Sequence, residues 1–279
     1  MRLLSTRELS DALGVSESSL KRWIDGGRII ASRTSGGHRR IAIDDALRFI
    51  RETSAPIVRP ELLGLPQLAS PAASERTRLY DLLIAGDTSG AKAWLVARYL
   101  AGASVAELGD GPIREAMHGL GELWRHDHSR VHVEHRGTDA CLQAIAAVRA
   151  LLPEPSAKAA LAIGGAPSGD PYLAPSQLAA MVATEAGLRA DNLGPDLPAA
   201  ALQAAVAEQR PKLVWLSVST VLPETASRAL VRALDALPRS TTIIVGGQHA
   251  AQLPRSARIT RVTTLRELAD HARAVKAAA

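Results

Sequence analysis

Residues 28–43 have the sequence RIIASRTSGGHRRIAI, in which two short strand-like pieces flank a glycine turn. This pattern predicts a β-hairpin. Between Asp25 and Asp44 the chain carries four arginines and no acidic residue. A charge run usually forms a solvated face, but a protruding hairpin with charge of one sign also suits contact with nucleic-acid phosphates. We therefore interpret the hairpin as the wing of a DNA-binding domain.

The residues ahead of the hairpin predict two helices joined by a tight turn. Ser5 and Glu8 have the spacing of a capping box, and Gly14 permits the turn. Leu20, Trp23 and Ile24 of the second helix are expected to face inward. The candidate DNA-binding residues lie on the outer face of this helix and on the hairpin: Ser18, Ser19, Lys21, Arg22, Arg33, His38, Arg39 and Arg40. Residues 1–53 are thus predicted to form a winged helix-turn-helix domain.

This stretch resembles the MerR family of transcription regulators over about residues 3 to 52. The likeness lies in Arg22-Trp23-Ile24 and in the Gly-Gly-His-Arg-Arg wing that ends at Arg40. It implies that the second helix enters the major groove of operator DNA while Arg39 and Arg40 grip the backbone. Because one such unit is too small for tight specific binding, we expect dimers or tetramers.

The remaining chain divides into three parts by composition and periodicity. Residues 54–74 carry four prolines and are expected to form a semi-extended linker. Residues 75–155 show helical spacing and predict a four-helix bundle with a short extra helix near Val105. Short apolar runs alternate with helical segments in residues 156–279, which predicts a flavodoxin-like parallel α/β domain. The fold class is therefore multidomain, α and α/β.

Composition excludes some classes of protein. The 279 residues carry a net charge of +5, which alone does not establish nucleic-acid binding. No segment approaches 18 uninterrupted apolar residues and no signal peptide is evident, so we expect no membrane association. The one cysteine, Cys141, excludes an intramolecular disulfide and suits a reducing compartment. The expected location is the cytoplasm.

The order of bundle and α/β domain resembles the cobalamin-binding module, and a helix-turn-helix ahead of such a module resembles the CarH/LitR-type light-dependent repressors. Trp124, followed after nine residues by Glu134 and His135, matches the family's bundle motif. The resemblance implies that these residues cover the upper face of adenosylcobalamin, on which a tetramer assembles until light dismantles it. It also implies a nucleotide-tail site at Ser217 and Ser219, and a glycine pair at Gly246 and Gly247.

The chain departs from this family where the cobalt ligand is expected. The motif Asp/Glu-x-His-x-x-Gly aligns with residues 170–175, so Tyr172 stands in place of the histidine and Pro175 in place of the glycine. Arg125 replaces a second histidine that ligates cobalt after illumination. Three hypotheses remain: cobalamin without a protein histidine ligand, haem or another tetrapyrrole such as a bilin, or no ligand. In the haem hypothesis Tyr172 is an axial ligand of the iron.

A zinc site is not expected from the histidines near residues 118–135, because no cysteine pair or HExxH spacing accompanies them. The leading hypothesis is a regulator whose C-terminal module controls oligomerisation in response to a tetrapyrrole. The alternatives are a ligand-free regulator that acts by oligomerisation alone and a corrinoid methyl-transfer module. The absent histidine and the N-terminal domain both disfavour the last, so we expect no enzymatic activity.

Overall fold

The computed structural model describes residues 2–67, 76–126 and 128–279, apart from the side chains of residue 76 and residues 124–128. The chain forms two compact units. The first contains Met1–Ser104 and Gly111–Leu152, and the second contains Val105–Asp110 and Pro153–Ala279. The chain thus passes from the first unit to the second twice, after Ser104 and after Leu152.

The N-terminal part of the first unit is a winged helix-turn-helix, as predicted. Ser5 accepts the backbone N–H of Glu8, which closes the capping box at the start of the first helix. Gly14 ends that helix with φ 66°, a left-handed conformation that glycine adopts without steric cost. The antiparallel strand order is β1-β3-β2. The elements are β1 (Leu3–Ser5), α1 (Thr6–Leu13), α2 (Glu17–Asp25), β2 (Ser32–Arg33), β3 (Arg39–Ala42) and α3 (Ile43–Thr53).

The segment that follows α3 differs from the semi-extended linker expected over residues 54–74. The backbone N–H groups of Val58 and Arg59 both donate to the Ala12 carbonyl oxygen, at 2.8 and 3.1 Å. A short 3-10 helix at Pro60–Leu63 then buries Leu63. The leucines between the prolines pack this segment against α1. The proline content alone did not indicate this packing. Residues 68–75 of the expected linker lie outside the described residues.

Four helices of the first unit pack as the predicted bundle: α4 (Arg76–Ala85), α5 (Thr88–Leu100), α7 (Arg114–His126) and α8 (Val131–Arg149). A methyl group added at Gly137 of α8 would lie 2.9 Å from Leu120 Cδ1 and 3.3 Å from the Leu83 carbonyl oxygen. This glycine therefore lets α8 approach α4 and α7 closely. Burial raises the pKa of the Cys141 thiol, also in α8, to about 12.

The second unit contains the predicted parallel α/β domain together with the short helix α6 (Val105–Leu108), which the sequence had assigned to the bundle. Its sheet has the order β5-β4-β6-β7-β8, in which the strand order reverses between β4 and β6. Such a switch point is where doubly wound folds bind ligands. The strands are β4 (Leu161–Gly165), β5 (Arg189–Asn192), β6 (Leu213–Ser217), β7 (Thr242–Gly246) and β8 (Ile259–Arg261). The helices are α9 (Ala174–Glu185), α10 (Ala199–Gln209), α11 (Glu224–Asp235) and α12 (Leu265–Ala278).

The central strands β4 and β6 are buried on both faces, which explains why they read as continuous apolar runs. Trp215 of β6 is 1% exposed, and a methyl group at Gly164 of β4 would lie 2.2 Å from its carbonyl oxygen and 2.4 Å from its ring. Gly164 therefore makes room for the largest buried side chain of this sheet. In the described part of the chain, no helix has the length and apolar character needed to cross a membrane.

Candidate nucleic-acid interface and ligand module

Helix α2 presents a polar outer face. Ser18, Lys21 and Arg22 are exposed and Ser19 is half-buried, whereas Leu20 on the opposite face is fully buried. Ser16 caps the helix: its hydroxyl accepts the Ser19 backbone N–H at 3.1 Å. The Arg22 guanidinium lies 3.3 Å from the Ser19 hydroxyl, which holds two of the candidate residues side by side. This face combines hydroxyl and cationic groups, which suit base edges and phosphates.

An aromatic pair fixes α2 against α3. The ring centroids of Trp23 and Phe49 are 5.2 Å apart. The Arg28 guanidinium lies 5.8 Å from the Trp23 centroid and 5.7 Å from that of Phe49. Trp23 and Ile24 are only half-buried, so of the three residues expected to face inward Leu20 alone is fully buried. Arg28, which the sequence placed in the acid-free basic stretch, is thus exposed and lies over both rings.

The two arginines of the wing strand point to opposite faces of the sheet. Side chains alternate along β3, and the buried Ile41 marks the face that Arg39 shares. Arg39 Nη2 lies 2.6 Å from Asp25 Oδ1 at the end of α2, and the Arg39 side chain is 19% exposed. Arg40 pairs with Ser5 and Ser32 in the neighbouring strands, is half-buried on the opposite face, and donates from Nη1 to the Arg39 carbonyl oxygen at 3.3 Å. The sequence predicted the same backbone contact for both arginines, because it shows their spacing but not their partners.

The wing turn is closed by the backbone. The Gly37 N–H donates to the Thr34 carbonyl oxygen at 2.8 Å, and the Thr34 N–H donates to the His38 carbonyl oxygen at 2.9 Å. Arg33 and His38 are exposed beside this turn. Among the described residues, neither Arg33 nor Arg40 forms an ion pair. Their charges are thus available to an external anion, unlike that of Arg39.

The Glu8 carboxylate lies near the base of the wing. Hydrogen bonds from the Ser5 backbone and hydroxyl lower the pKa of Glu8, and the positive charges of Arg2 and Arg40 lower it further. The capping box is therefore strongest when Glu8 is ionised.

The bundle motif is described only in part. Trp124 lies in α7, but its side chain is outside the described residues, as is that of Arg125. Glu134 and His135 lie in the first turns of α8. Glu134 Oε1 accepts the Thr138 hydroxyl at 2.8 Å, and Glu134 Oε2 is 3.5 Å from His135 Nε2, whose side chain is 74% exposed. These two side chains are therefore adjacent on the helix surface.

Asp170 is a residue whose role the sequence did not reveal. It is fully buried after β4, and its carboxylate accepts backbone N–H groups of Tyr172, Ser219 and Thr220 at 3.1, 2.5 and 3.3 Å. It thus ties the loop after β4 to the loop after β6, across the switch point. The sequence signal for this role was an aspartate between Gly169 and Pro171, in the loop that follows a buried strand.

Tyr172 is 52% exposed, and its phenol has no hydrogen-bond partner within the part of the chain that the structure describes. In this structure Tyr172 therefore neither fills a pocket nor bonds Ser217. Pro175 lies in the first turn of α9, where a missing backbone N–H costs nothing. Its position is explained by helix initiation.

The four remaining candidate residues come together at the ends of β6 and β7. Ser217 pairs with Gly246 in the sheet, and Ser217 and Ser219 are 6% and 8% exposed. Gly247 has φ 103°, and a methyl group there would lie 2.4 Å from the Val218 carbonyl oxygen. The Ser219 hydroxyl is buried without a partner among the described residues. No group of three His, Cys, Asp or Glu side chains in those residues is placed to hold a metal ion.

Two family models match parts of the chain. Residues 3–54 match the family model of the helix-turn-helix domain. Residues 75–149 match the family model of the B12 binding domain. The chain carries a DNA-binding helix-turn-helix domain ahead of a B12-binding-type domain. No curated protein matches the chain.

Solved structures support the fold of the C-terminal region. The monomethylamine corrinoid protein of Methanosarcina barkeri matches 73% of this chain and 100% of its own, with 17% identity and a TM-score of 0.58. A cobalamin-binding protein of Desulfitobacterium hafniense DCB-2 covers 72% of this chain and 98% of its own, with 19% identity and a TM-score of 0.37. The methanol:cobalamin methyltransferase complex of Methanosarcina barkeri covers 95% and 93%, with 15% identity and a TM-score of 0.38. Only the first score supports a shared fold.

Proposed function

We propose that this protein is a MerR-type transcription regulator that binds double-stranded DNA. The supporting observation is the exposed face of α2, with Ser18 and Arg22, beside a wing whose Arg33 and Arg40 form no ion pair among the described residues. In this proposal α2 enters the major groove, and the wing cations contact phosphates and fix its register.

Selection of bound sequences from a random duplex pool, followed by fluorescence anisotropy, tests this proposal. We expect Arg22→Ala to change the selected sequence, because α2 reads base edges. Arg228→Ala removes an exposed arginine of α11 that pairs with Glu224, and serves as the matched control. A pool that shows no enrichment, or an Arg22→Ala protein that selects the same sequence with the same affinity, contradicts the proposal.

We further propose that residues 75–279 join subunits into a dimer or tetramer. A single small DNA-binding domain gains affinity when a second copy is held nearby, because the second contact forms at high effective concentration. Light scattering of the full chain, with and without DNA, measures the assembly. A monomer at high protein concentration under both conditions contradicts it.

A tetrapyrrole that controls this assembly is supported by the B12 binding domain match over residues 75–149 and by the adjacent Glu134 and His135. The loop after β4 does not fit cobalamin held by a protein histidine. Residues 166–173 contain no histidine, and the Asp170 carboxylate ties the loop after β4 to Ser219, in the segment where the family resemblance places the nucleotide tail. The proposal is therefore limited to cobalamin that keeps its own base, or to haem or a bilin near the exposed Tyr172.

Spectra and mass recorded in dark and light separate these possibilities. Adenosylcobalamin, haem and biliverdin are added to the full chain in turn. A new absorption band together with a change in mass supports a ligand-controlled regulator. Unchanged spectra and mass with all three favour the alternative, in which the protein acts by oligomerisation alone.

A further inference from the structure

Arg51 of α3 holds the carboxyl-terminal end of α5. Its Nη1 donates to the Tyr99 carbonyl oxygen at 2.6 Å, and its guanidinium lies 4.0 Å from the centroid of the Tyr99 ring. The same carbonyl oxygen accepts the Gly102 N–H at 3.1 Å. The Tyr99 side chain is 1% exposed, so the guanidinium stacks on a ring that the bundle fixes in place.

Arg48, one turn earlier in α3, reaches the end of α8. Its Nη2 donates to the Ala150 carbonyl oxygen at 3.3 Å, while its Nη1 bonds Asp45 at 3.1 Å. The carbonyl groups in the last turn of a helix lack intrahelical partners and carry partial negative charge, so cations are stabilised there. Two arginines of the DNA-binding domain therefore cap two bundle helices.

The capped helices have a common position in the chain. After α5 the chain leaves the first compact unit at Ser104, and after α8 it leaves that unit at Leu152. These are the two points where the chain passes into the second unit. Between Arg48 and Arg51, Phe49 packs on Trp23 of α2. A continuous series of contacts therefore runs from both helix ends through α3 to the candidate DNA-reading helix.

We propose that Arg48 and Arg51 are positioning residues that couple the orientation of α2 to the ends of α5 and α8. Subunit association or ligand binding by the C-terminal region then changes the affinity for DNA through this contact. The proposal rests on the DNA-binding function above and concerns how that site is regulated. Coupling between two sites is reciprocal, so DNA binding at α2 must in turn affect the helix ends.

Hydrogen–deuterium exchange of the full chain, with and without a random-sequence DNA duplex, tests the coupling. In the unmodified protein we expect DNA to slow exchange in residues 17–25, and in residues 97–104 and 147–153 by about fivefold or more. In the Arg48→Met/Arg51→Met protein, we expect residues 17–25 to remain protected by DNA while the two helix ends no longer respond. Arg59→Met, which removes an exposed arginine paired with Glu61, should behave as the unmodified protein.

The milder Arg51→Lys protein keeps a charge and a donor but loses the planar stack, and we expect it to retain part of the response. It keeps the test decisive if the double variant unfolds. Helix ends that ignore DNA in the unmodified protein, or that respond fully in the variants, overturn the coupling. If residues 17–25 are also unprotected in the unmodified protein, the proposed DNA binding fails, and the coupling with it.

Discussion

Arg40 and Arg39 should affect DNA binding in different ways, although they are neighbours on one strand. Each lysine or arginine that neutralises a phosphate adds about 0.9 to the slope of log affinity against log salt. Arg40 lies on the other face of the strand and forms no ion pair among the described residues, whereas the side chain of Arg39 is 19% exposed and bonds Asp25 at 2.6 Å. Arg40→Ala should therefore lower the slope by about 0.9. Arg39→Ala should lower it by much less.

The size of the effect is within reach of a titration. Over the fourfold salt range from about 50 to 200 mM, a slope change of 0.9 changes the ratio of the unmodified affinity to the Arg40→Ala affinity by about 3.5-fold, or about 0.7 kcal/mol. Fluorescence anisotropy with a random-sequence duplex at several salt concentrations measures this ratio. Arg228→Ala serves as the control for loss of one positive charge outside the interface.

Asp25→Asn separates a structural role of Arg39 from a direct one. Loss of this partly exposed ion pair should cost at most about 1 kcal/mol of the free energy of unfolding, because solvent screens Asp25. If Arg39 positions the wing, the salt slope stays the same. If Arg39 grips phosphate, releasing it from Asp25 raises the slope. A higher slope in Asp25→Asn, or equal loss of slope in the two alanine proteins, would refute the reasoning from opposite faces.

Four further changes test particular contacts. Ser5→Ala should cost about 1 kcal/mol of stability at neutral pH. The folded state lowers the pKa of Glu8. The stability that this carboxylate contributes is therefore present above its usual pKa of 4.5 and is lost as the pH falls through the lowered pKa. Urea unfolding should accordingly show that Ser5→Ala costs less stability at acidic pH than at neutral pH. Gly164→Ala should destabilise the second unit by about 1–3 kcal/mol in the same assay, because its methyl group meets Trp215. Tyr172→Phe should leave the melting temperature unchanged, since the phenol has no partner in the described residues; a clear decrease would contradict its exposed position. Ser219→Ala should be neutral or stabilising, because it removes a buried hydroxyl with no such partner.

Much of the fold follows from local sequence signals. The parallel α/β domain was predicted from short apolar runs that alternate with helical spacing after residue 156, and the structure places strands β4 to β8 in this region. The capping box at Ser5 and the turn at Gly14 were likewise predicted, because each depends on residues a few positions apart. The α2 face and the wing were predicted as elements for the same reason.

Contacts between distant residues were not predictable in this way. The bond from Arg39 to Asp25, the bridge from Asp170 to Ser219 and the stacking of Arg51 on Tyr99 join residues whose spacing has no period. Residues 54–65 belong to the segment 54–74, which was expected to be extended because it carries four prolines. Their packing on α1 depends on leucines whose partners are known only from the folded chain.

Residues that match a family's binding positions differ in what their presence implies. A methyl group at Gly247 would collide with the Val218 backbone, and Pro175 starts a helix, so both residues are explained by the fold with or without a ligand. The Ser219 hydroxyl and the Tyr172 phenol have no such explanation, because neither has a hydrogen-bond partner within the described residues. Ligand experiments are therefore most informative at Ser219 and Tyr172. Loss of binding in a Gly247 variant would report a distorted sheet end as readily as a lost contact.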